Sequence, residues 1–230
     1  MTRISFCIPC YEAHGKGYNY LLDVFYALNN QVFKDFNVWI SDQSKDDKVY
    51  QACEEYADCF EINYIKYQEN IGNVSANTNN AIKYADGEIL KIHYQDDFIL
   101  TENLTFELDK VFVNDVEWAV SCFAHSIDDG RTHYNAKTPY WNDKILEGVN
   151  TFSSPSILAM RKDLKVYFDQ NITLLLDCDM FYQLYIKYGE PIIMTDVHIS
   201  NREHANQTQR KVEHLLSTEI EYLKRKYDRI

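Results

Sequence analysis

Residues 4–12 read Ile-Ser-Phe-Cys-Ile-Pro-Cys-Tyr-Glu, a largely apolar run that halts at Pro9 and turns polar at once. A run without strict alternation suits a central parallel strand covered on both faces. Working outward, Leu21, Leu22, Phe25 and Leu28 recur at helical spacing, and residues 38–40 form a second strand ending in Ser41-Asp42. Residues 46–56 suit a helix, 62–65 a third strand, 74–84 a helix and 89–93 a fourth strand, before Leu104, Leu108, Val111 and Phe112 mark another helix. Strand and helix alternating in this way predict an α/β fold with a doubly wound, mostly parallel sheet.

The rhythm loosens after Trp118. Residues 126–148 are polar, aromatic and irregular, and are expected to form a long loop or substrate-facing insertion. Residues 156–160 read as a strand, 177–188 as a helix and 192–194 as a strand. The tail carries Val212, Leu215, Leu216, Ile220 and Leu223 as one apolar stripe, the mark of a helix packed on a core. With 230 residues and no repeat or Pro/Gly-rich linker, a single domain is expected.

Net charge is -12, which repels a phosphate backbone and argues against extended nucleic-acid binding. An acidic chain still accepts an anionic nucleotide when a divalent cation lies between them. Tyrosine is abundant, 18 residues, and suits sugar and base pockets as well as core edges. Cys7 and Cys10 have C-x-x-C spacing, but no second pair completes a zinc site, and both end a buried strand, where thiols are usually inert. No apolar stretch reaches membrane-spanning length and no signal peptide precedes the first strand, so a cytoplasmic protein is expected.

In open parallel sheets, ligands bind beyond the carboxyl ends of the strands. The first strand here ends in Pro9-Cys10-Tyr11-Glu12 and the second in Ser41-Asp42-Gln43-Ser44-Lys45-Asp46-Asp47. The third leads to Asn70-Ile71-Gly72-Asn73 and the fourth to Gln95-Asp96-Asp97. Asp46 and Ser75 are equally readable as helix caps. Asp96-Asp97 has no helix immediately after it, and paired carboxylates suit Mg²⁺ or Mn²⁺ with positions left for diphosphate oxygens.

These residues resemble the family 2 glycosyltransferases, over nearly the whole chain. Ile8-Pro9-Cys10-Tyr11 looks like the family's I-P-x-Y-N, with Glu12 in place of Asn, and Ser41 to Asp46 looks like D-D-x-S-x-D. Asn70-Ile71-Gly72-Asn73, then Asn77, Ala81, Ala85 and Gly87, resembles the segment under the donor. Tyr94-Gln95-Asp96-Asp97 stands where D-x-D belongs, with Tyr94 replacing its first Asp. Ser153-Ser154-Pro155-Ser156 resembles the acceptor-side segment, and Leu176-Asp177-Cys178-Asp179 resembles E-D-x-D with Leu176 replacing its Glu. Arg202-Glu203-His204 is similar to the late R-x-H element.

The resemblance implies a GT-A fold, with residues 1–115 binding a nucleotide sugar and 116–230 the acceptor, and an inverting, metal-dependent transfer. It implies Asp177 as the catalytic base and Asp96, Asp97 and His204 as ligands of Mn²⁺ or Mg²⁺. Pro9, Tyr11, Glu12, Asp42, Asn70, Gly72, Asn73, Asn77, Gln95 and Asp96 line the donor. Asp42 would accept N3–H of a uracil, which points to a UDP-sugar. Ser154, Asp179 and Trp141 would face a glycan or small-molecule acceptor. On the residues alone, Asp177 also reads as a helix cap, His204 as a surface histidine, and Tyr140 and Trp141 as loop anchors. A non-catalytic sugar- or nucleotide-binding protein stays open because Tyr94 and Leu176 depart from the motifs. A nucleotidyltransferase is disfavoured, since His14-Gly15-Lys16-Gly17 is only a faint version of its glycine-rich basic loop.

Overall fold

The strand that opens the sequence, β1 (Ile4–Cys10), is buried along its whole length. In this computed structural model, which describes residues 2–203 and 212–228, it is the axis of the first half of the sheet. It pairs in parallel with β2 (Phe36–Asp42) on one side and with β4 (Ile89–Ile92) on the other, and β2 pairs in parallel with β3 (Ile62–Lys66). Three helices connect these strands: α1 (Gly17–Asn29), α2 (Lys48–Tyr56) and α3 (Val74–Tyr84). The face of α1 that carries Leu21, Val24, Phe25 and Leu28 is buried, as its periodicity predicts.

Beyond β4 the sheet continues as mixed rather than parallel. After the short β5 (Phe98–Ile99) and α4 (Leu104–Val111) come β6 (Trp118–Ser126), β7 (Tyr134–Lys137), β8 (Leu158–Arg161) and β9 (Ile192–Arg202). Among the described residues the order is β3-β2-β1-β4-β8-β6-β9-β5, with β7 added to β6. Strand β8 runs antiparallel to both β4 and β6, and β6 and β9 are parallel. One sheet therefore passes through both halves of the chain.

Helix α5 (Leu176–Tyr188) lies over the second half, held by an aromatic cluster. Phe181 stacks on Phe152 with centroids 4.7 Å apart, and Trp118 meets them at 6.0 and 6.3 Å. All three rings are buried, each burial being worth about 1.5–3 kcal/mol.

Some boundaries differ from the sequence reading for physical reasons. The segment 126–148 contains β7 and a 3₁₀ turn, Ile145–Glu147, anchored by the fully buried Ile145. All four residues of β7 are exposed, so no apolar alternation announces it. The last strand runs on to Arg202, because buried His198 and Ser200 replace apolar residues in its interior. The tail forms a 3₁₀ turn, Glu213–Leu215, and then α6 (Leu216–Tyr227). Leu223 is buried and Ile220 packs on the core, but Leu216 is 38% exposed and Glu219 takes an interior position instead.

All six cysteines are free thiols, and burial pushes the Cys7 and Cys10 thiols up, the opposite of an activated pair. Among the described residues, no helix is long and apolar enough to cross a membrane.

Candidate functional site

Register fixes the first wall of the site. Pro9 pairs with Ser41 and Cys10 with Asp42, so β1 and β2 end side by side. Asp42 is fully buried. One of its oxygens accepts Ser44 N–H at 2.8 Å; the other accepts the Tyr64 hydroxyl at 2.7 Å and Lys66 Nζ at 3.3 Å. Gln43 ties this wall to the next loop: its amide donates to the carbonyls of Glu69 and Asn70 and accepts Gly72 N–H at 3.1 Å. Asn70 and Gly72 both have positive φ, 50° and 85°, and Gln43 holds that turn in place. Glu12 reaches across to accept Lys45 N–H at 3.2 Å.

Two expected donor residues, Asn73 and Gln95, have their side-chain polar groups committed within the protein, and a third, Asn77, has one of its two. Asn73 is the N-cap of α3, accepting Ala76 N–H at 2.9 Å and donating to Gln170 O at 2.8 Å. Here the cap is Asn73, not Ser75. Gln95 spends its amide on one peptide unit, accepting Tyr11 N–H and donating to Tyr11 O, both at 2.8 Å. Asn77 donates to Cys10 O at 3.0 Å, while its Oδ1 is buried without a partner. Ser44 Oγ and the Tyr94 hydroxyl, which lies beside Thr78, are likewise buried without a well-formed hydrogen bond. These three atoms border the same strand ends, and buried polar groups left unsatisfied in this way call for an explanation.

The acid turn follows β4. Asp97 is buried; its Oδ2 accepts Ser154 Oγ at 2.9 Å and its Oδ1 accepts Arg202 N–H at 3.2 Å. Burial, reinforced by neighbouring Asp96, raises its pKa above the usual carboxylate range. The Asp96 carbonyl accepts Arg202 Nε at 2.9 Å, and the Arg202 guanidinium lies between the rings of Tyr20 (4.1 Å) and Phe98 (3.9 Å). Behind the turn, the fully buried Lys91 donates to the carbonyls of Ile92 and Ser156, and burial lowers its pKa to about 7. The Tyr94 phenol is held un-ionised mainly by burial and also by the charges of Asp177, Asp96 and Asp97, which places it within electrostatic reach of all three acids.

Asp177 lies in the first turn of α5. Its Oδ2 accepts Asn150 Nδ2 at 2.7 Å and its Oδ1 accepts Cys178 N–H at 2.8 Å. Burial raises its pKa to about 6. The N-cap position belongs to Leu175, and Glu219 of α6 takes up the N–H groups of Thr173, Leu174 and Leu175 at 2.9–3.2 Å just before the helix. Asp177 thus lies inside the first turn rather than at the N-cap, and takes up the N–H of the residue after it.

The residues expected on the acceptor side all have partners within the protein. Asp179 faces α6: it accepts Lys226 Nζ at 2.7 Å, the Tyr227 hydroxyl at 2.6 Å and Gln183 Nε2 at 2.8 Å, and it is fully buried. Trp141 stacks flat on Tyr185 at 3.5 Å and donates to Asp143, so this ring anchors its loop to α5. Ser154 Oγ lies 2.9 Å from Asp97 Oδ2 and 3.0 Å from Asn201 Oδ1. Asp97 has both oxygens engaged by protein donors. His204 lies outside the described residues. Among those residues no group of three or more His, Cys, Asp or Glu is placed to hold a metal. One carboxylate completed by substrate phosphates is nonetheless a normal donor set for Mg²⁺.

Sequence reasoning missed Gln43, Asn150, Asn201 and Glu219. Glu219 had a signal, since it interrupts an apolar stripe, and Gln43 sits inside a motif already singled out. Asn150 and Asn201 lie in polar surroundings where no periodicity marks them.

Acid-bearing strand ends on a parallel half-sheet, joined to a mixed second half whose helix α5 carries a partly buried acid in its first turn, define a GT-A type glycosyltransferase fold. The profile of Glycosyl transferase family 2 matches residues 5–179, and the chain belongs to that family. No curated protein matches it at a significant level. Among solved structures, it is similar to S. aureus TarS 1-349 in complex with UDP-GlcNAc, with TM-score 0.70 and 18% identity over 94% of this chain and 66% of that one. It is also similar to S. aureus TarS, with TM-score 0.68 and 18% identity over 94% of this chain. The third is the mannosyltransferase PcManGT from Pyrobaculum calidifontis in complex with GDP-Man and Mn²⁺, with TM-score 0.63 and 15% identity, covering 94% and 60% of the two chains. The chain spans 39% of the length of that TarS chain, and at these identities the likeness speaks to fold.

Proposed function

We propose that the chain transfers a sugar from a nucleotide sugar, a UDP-sugar by preference, to a hydroxyl of a glycan or small-molecule acceptor, with inversion at the anomeric carbon. Family membership supports the reaction class, and the UDP-GlcNAc complex of a similar structure supports the donor class. The observation that carries the reading is the run of hydrogen bonds from Asp177 through Asn150 and Ser153 to Asn201, Ser154 and Asp97, which ties the acid of α5 to the acid turn after β4.

In this reading, residues 1–115 hold the donor and 116–230 the acceptor. Tyr11, 40% exposed, packs against the base, and the Asp42–Gln43 wall supports the nucleotide. The unsatisfied Asn77 Oδ1 and Tyr94 hydroxyl bind hydroxyls of the ribose or sugar, the hydroxyl standing in for the missing Asp of D-x-D. Asp96 would hold Mn²⁺ or Mg²⁺, which supplies Lewis-acid neutralisation of the leaving diphosphate. Asp177, with a pKa near 6, is ionised at neutral pH and basic enough to take the acceptor hydroxyl's proton as it attacks.

The test is release of UDP from a panel of UDP-sugars, with and without Mn²⁺, alongside thermal shift with UDP. Absence of both turnover and a thermal shift under every condition would remove the proposal.

A further inference from the structure

Residues 150–156 run between the acid turn after β4 and the start of α5, and their polar groups form one connected chain. Asn150 has every hydrogen-bonding position filled. Its Oδ1 accepts Phe152 N–H at 2.9 Å and Ser153 N–H at 3.1 Å. Its Nδ2 donates to Ser153 O at 2.8 Å and to Asp177 Oδ2 at 2.7 Å. Two backbone donors on one side fix which end of the amide is oxygen, so an N–H must point at Asp177.

The chain then passes to β9. Asn201 Nδ2 donates to Ser153 Oγ at 2.6 Å. Ser154 Oγ lies within bonding distance of Asn201 Oδ1, 3.0 Å, and of Asp97 Oδ2, 2.9 Å, and its single proton serves one of them at a time. The next residue of β9, Arg202, gives its N–H to the other oxygen of Asp97. Ser153 itself has φ 127°, a conformation costly for a residue with a Cβ. It is gripped from both sides, by Asn150 through its backbone and by Asn201 through its hydroxyl. A strained residue pinned by two amides is a rigid joint, and here the joint lies between the two acidic centres of the site.

We infer that Asn150 and Asn201 are positioning residues: through Ser153 and Ser154 they connect Asp177 to Asp97, so that the base and the donor-side acid turn are held at one fixed separation. Neither asparagine needs to touch a reacting atom. Asn150 orients the Asp177 carboxylate directly, and Asn201 does so at one remove while also fixing Ser154 against Asp97. This rests on the reading of Asp177 as the base, but the connection itself is measurable without turnover.

The experiment titrates the Asp177 carboxyl carbon by ¹³C NMR in the native protein and in Asn150→Ala, Asn201→Ala and Ser154→Ala, with Asp177→Asn used for assignment. A hydrogen bond donated to the charged form holds a pKa down. Asn150→Ala should therefore raise the Asp177 midpoint. Asn201→Ala should raise it by a smaller amount from across the joint, and Ser154→Ala should do the same if Asn201 proves too disruptive to fold. With a working donor and acceptor, Asn201→Ala should lower kcat about tenfold and move the acidic limb of the pH profile the same way, as expected for a reacting group displaced by a fraction of an ångström. An Asp177 midpoint unchanged in the folded Asn201 and Ser154 variants overturns the inference. A native protein that shows the coupling but turns over no nucleotide sugar overturns the functional reading and leaves the connection standing.

Discussion

The Asp179 carboxylate accepts the Tyr227 hydroxyl at 2.6 Å, which joins the first turn of α5 to the last turn of α6. Asp177, two residues earlier on the same helix, points the other way, toward Asn150. A two-residue step on a helix turns a side chain by about 200°, so two acids at this spacing face opposite sides. One acid of the motif faces Asn150 and the other anchors the helix that carries both.

Replacing Asp179 by Asn is therefore expected to act on stability. It removes the buried one of the two carboxylates that Lys226 pairs with, Asp169 remaining at 2.9 Å, and costs about 1–3 kcal/mol in denaturant unfolding. KM for the acceptor should stay within about twofold. A large rise in acceptor KM with unchanged stability would return Asp179 to the acceptor site.

Asp177→Asn is expected to retain donor binding and lose about 10²–10⁴-fold in kcat, the range set by removal of a general base. Calorimetric titration with UDP and steady-state rates together check both halves of the statement.

Because burial lifts the Asp177 pKa to about 6, transfer should decline as pH falls below that value, about tenfold per unit. The stability consequence has the opposite sign from a salt-bridged acid. Between the unfolded value near 4 and about 6, the folded protein binds the extra proton, so rising pH erodes this group's contribution. The difference in melting temperature between Asp177→Asn and the native protein should shift in favour of the variant from pH 4 to pH 7.

Tyr94→Phe removes a hydroxyl that has no well-formed partner in the protein, so melting temperature should hold or rise. Donor affinity should fall about tenfold if that hydroxyl meets the ribose or sugar. Unchanged affinity would assign Tyr94 to packing alone.

The first half of the fold was legible because its strands are apolar and its helices carry clear stripes. Helix α3 begins and ends where its pattern places it, at Val74 and Tyr84. Strand β7 and most of β9 were not legible, because exposed or polar residues occupy them and pairing rather than hydrophobicity makes them strands. The order of acids at the strand ends was readable from motif spacing. Which way each acid points was not, since the directions of Asp97 and Asp179 depend on Ser154, Arg202 and Tyr227, all of them more than 40 residues away.

The grip of Gln95 on Tyr11 has a mechanical consequence. The ladder between β1 and β4 ends at Cys7 and Ile92, yet the side-chain amide of Gln95 mimics a further peptide and adds one more rung beyond it. Gly17, where a Cβ would sit 2.3 Å from Tyr11 O, packs the start of α1 against that rung from behind. The turn from Tyr11 to Gly17 is thus tied at both its ends, so a side chain at position 17 would push Tyr11 off the Gln95 amide and undo the extra rung.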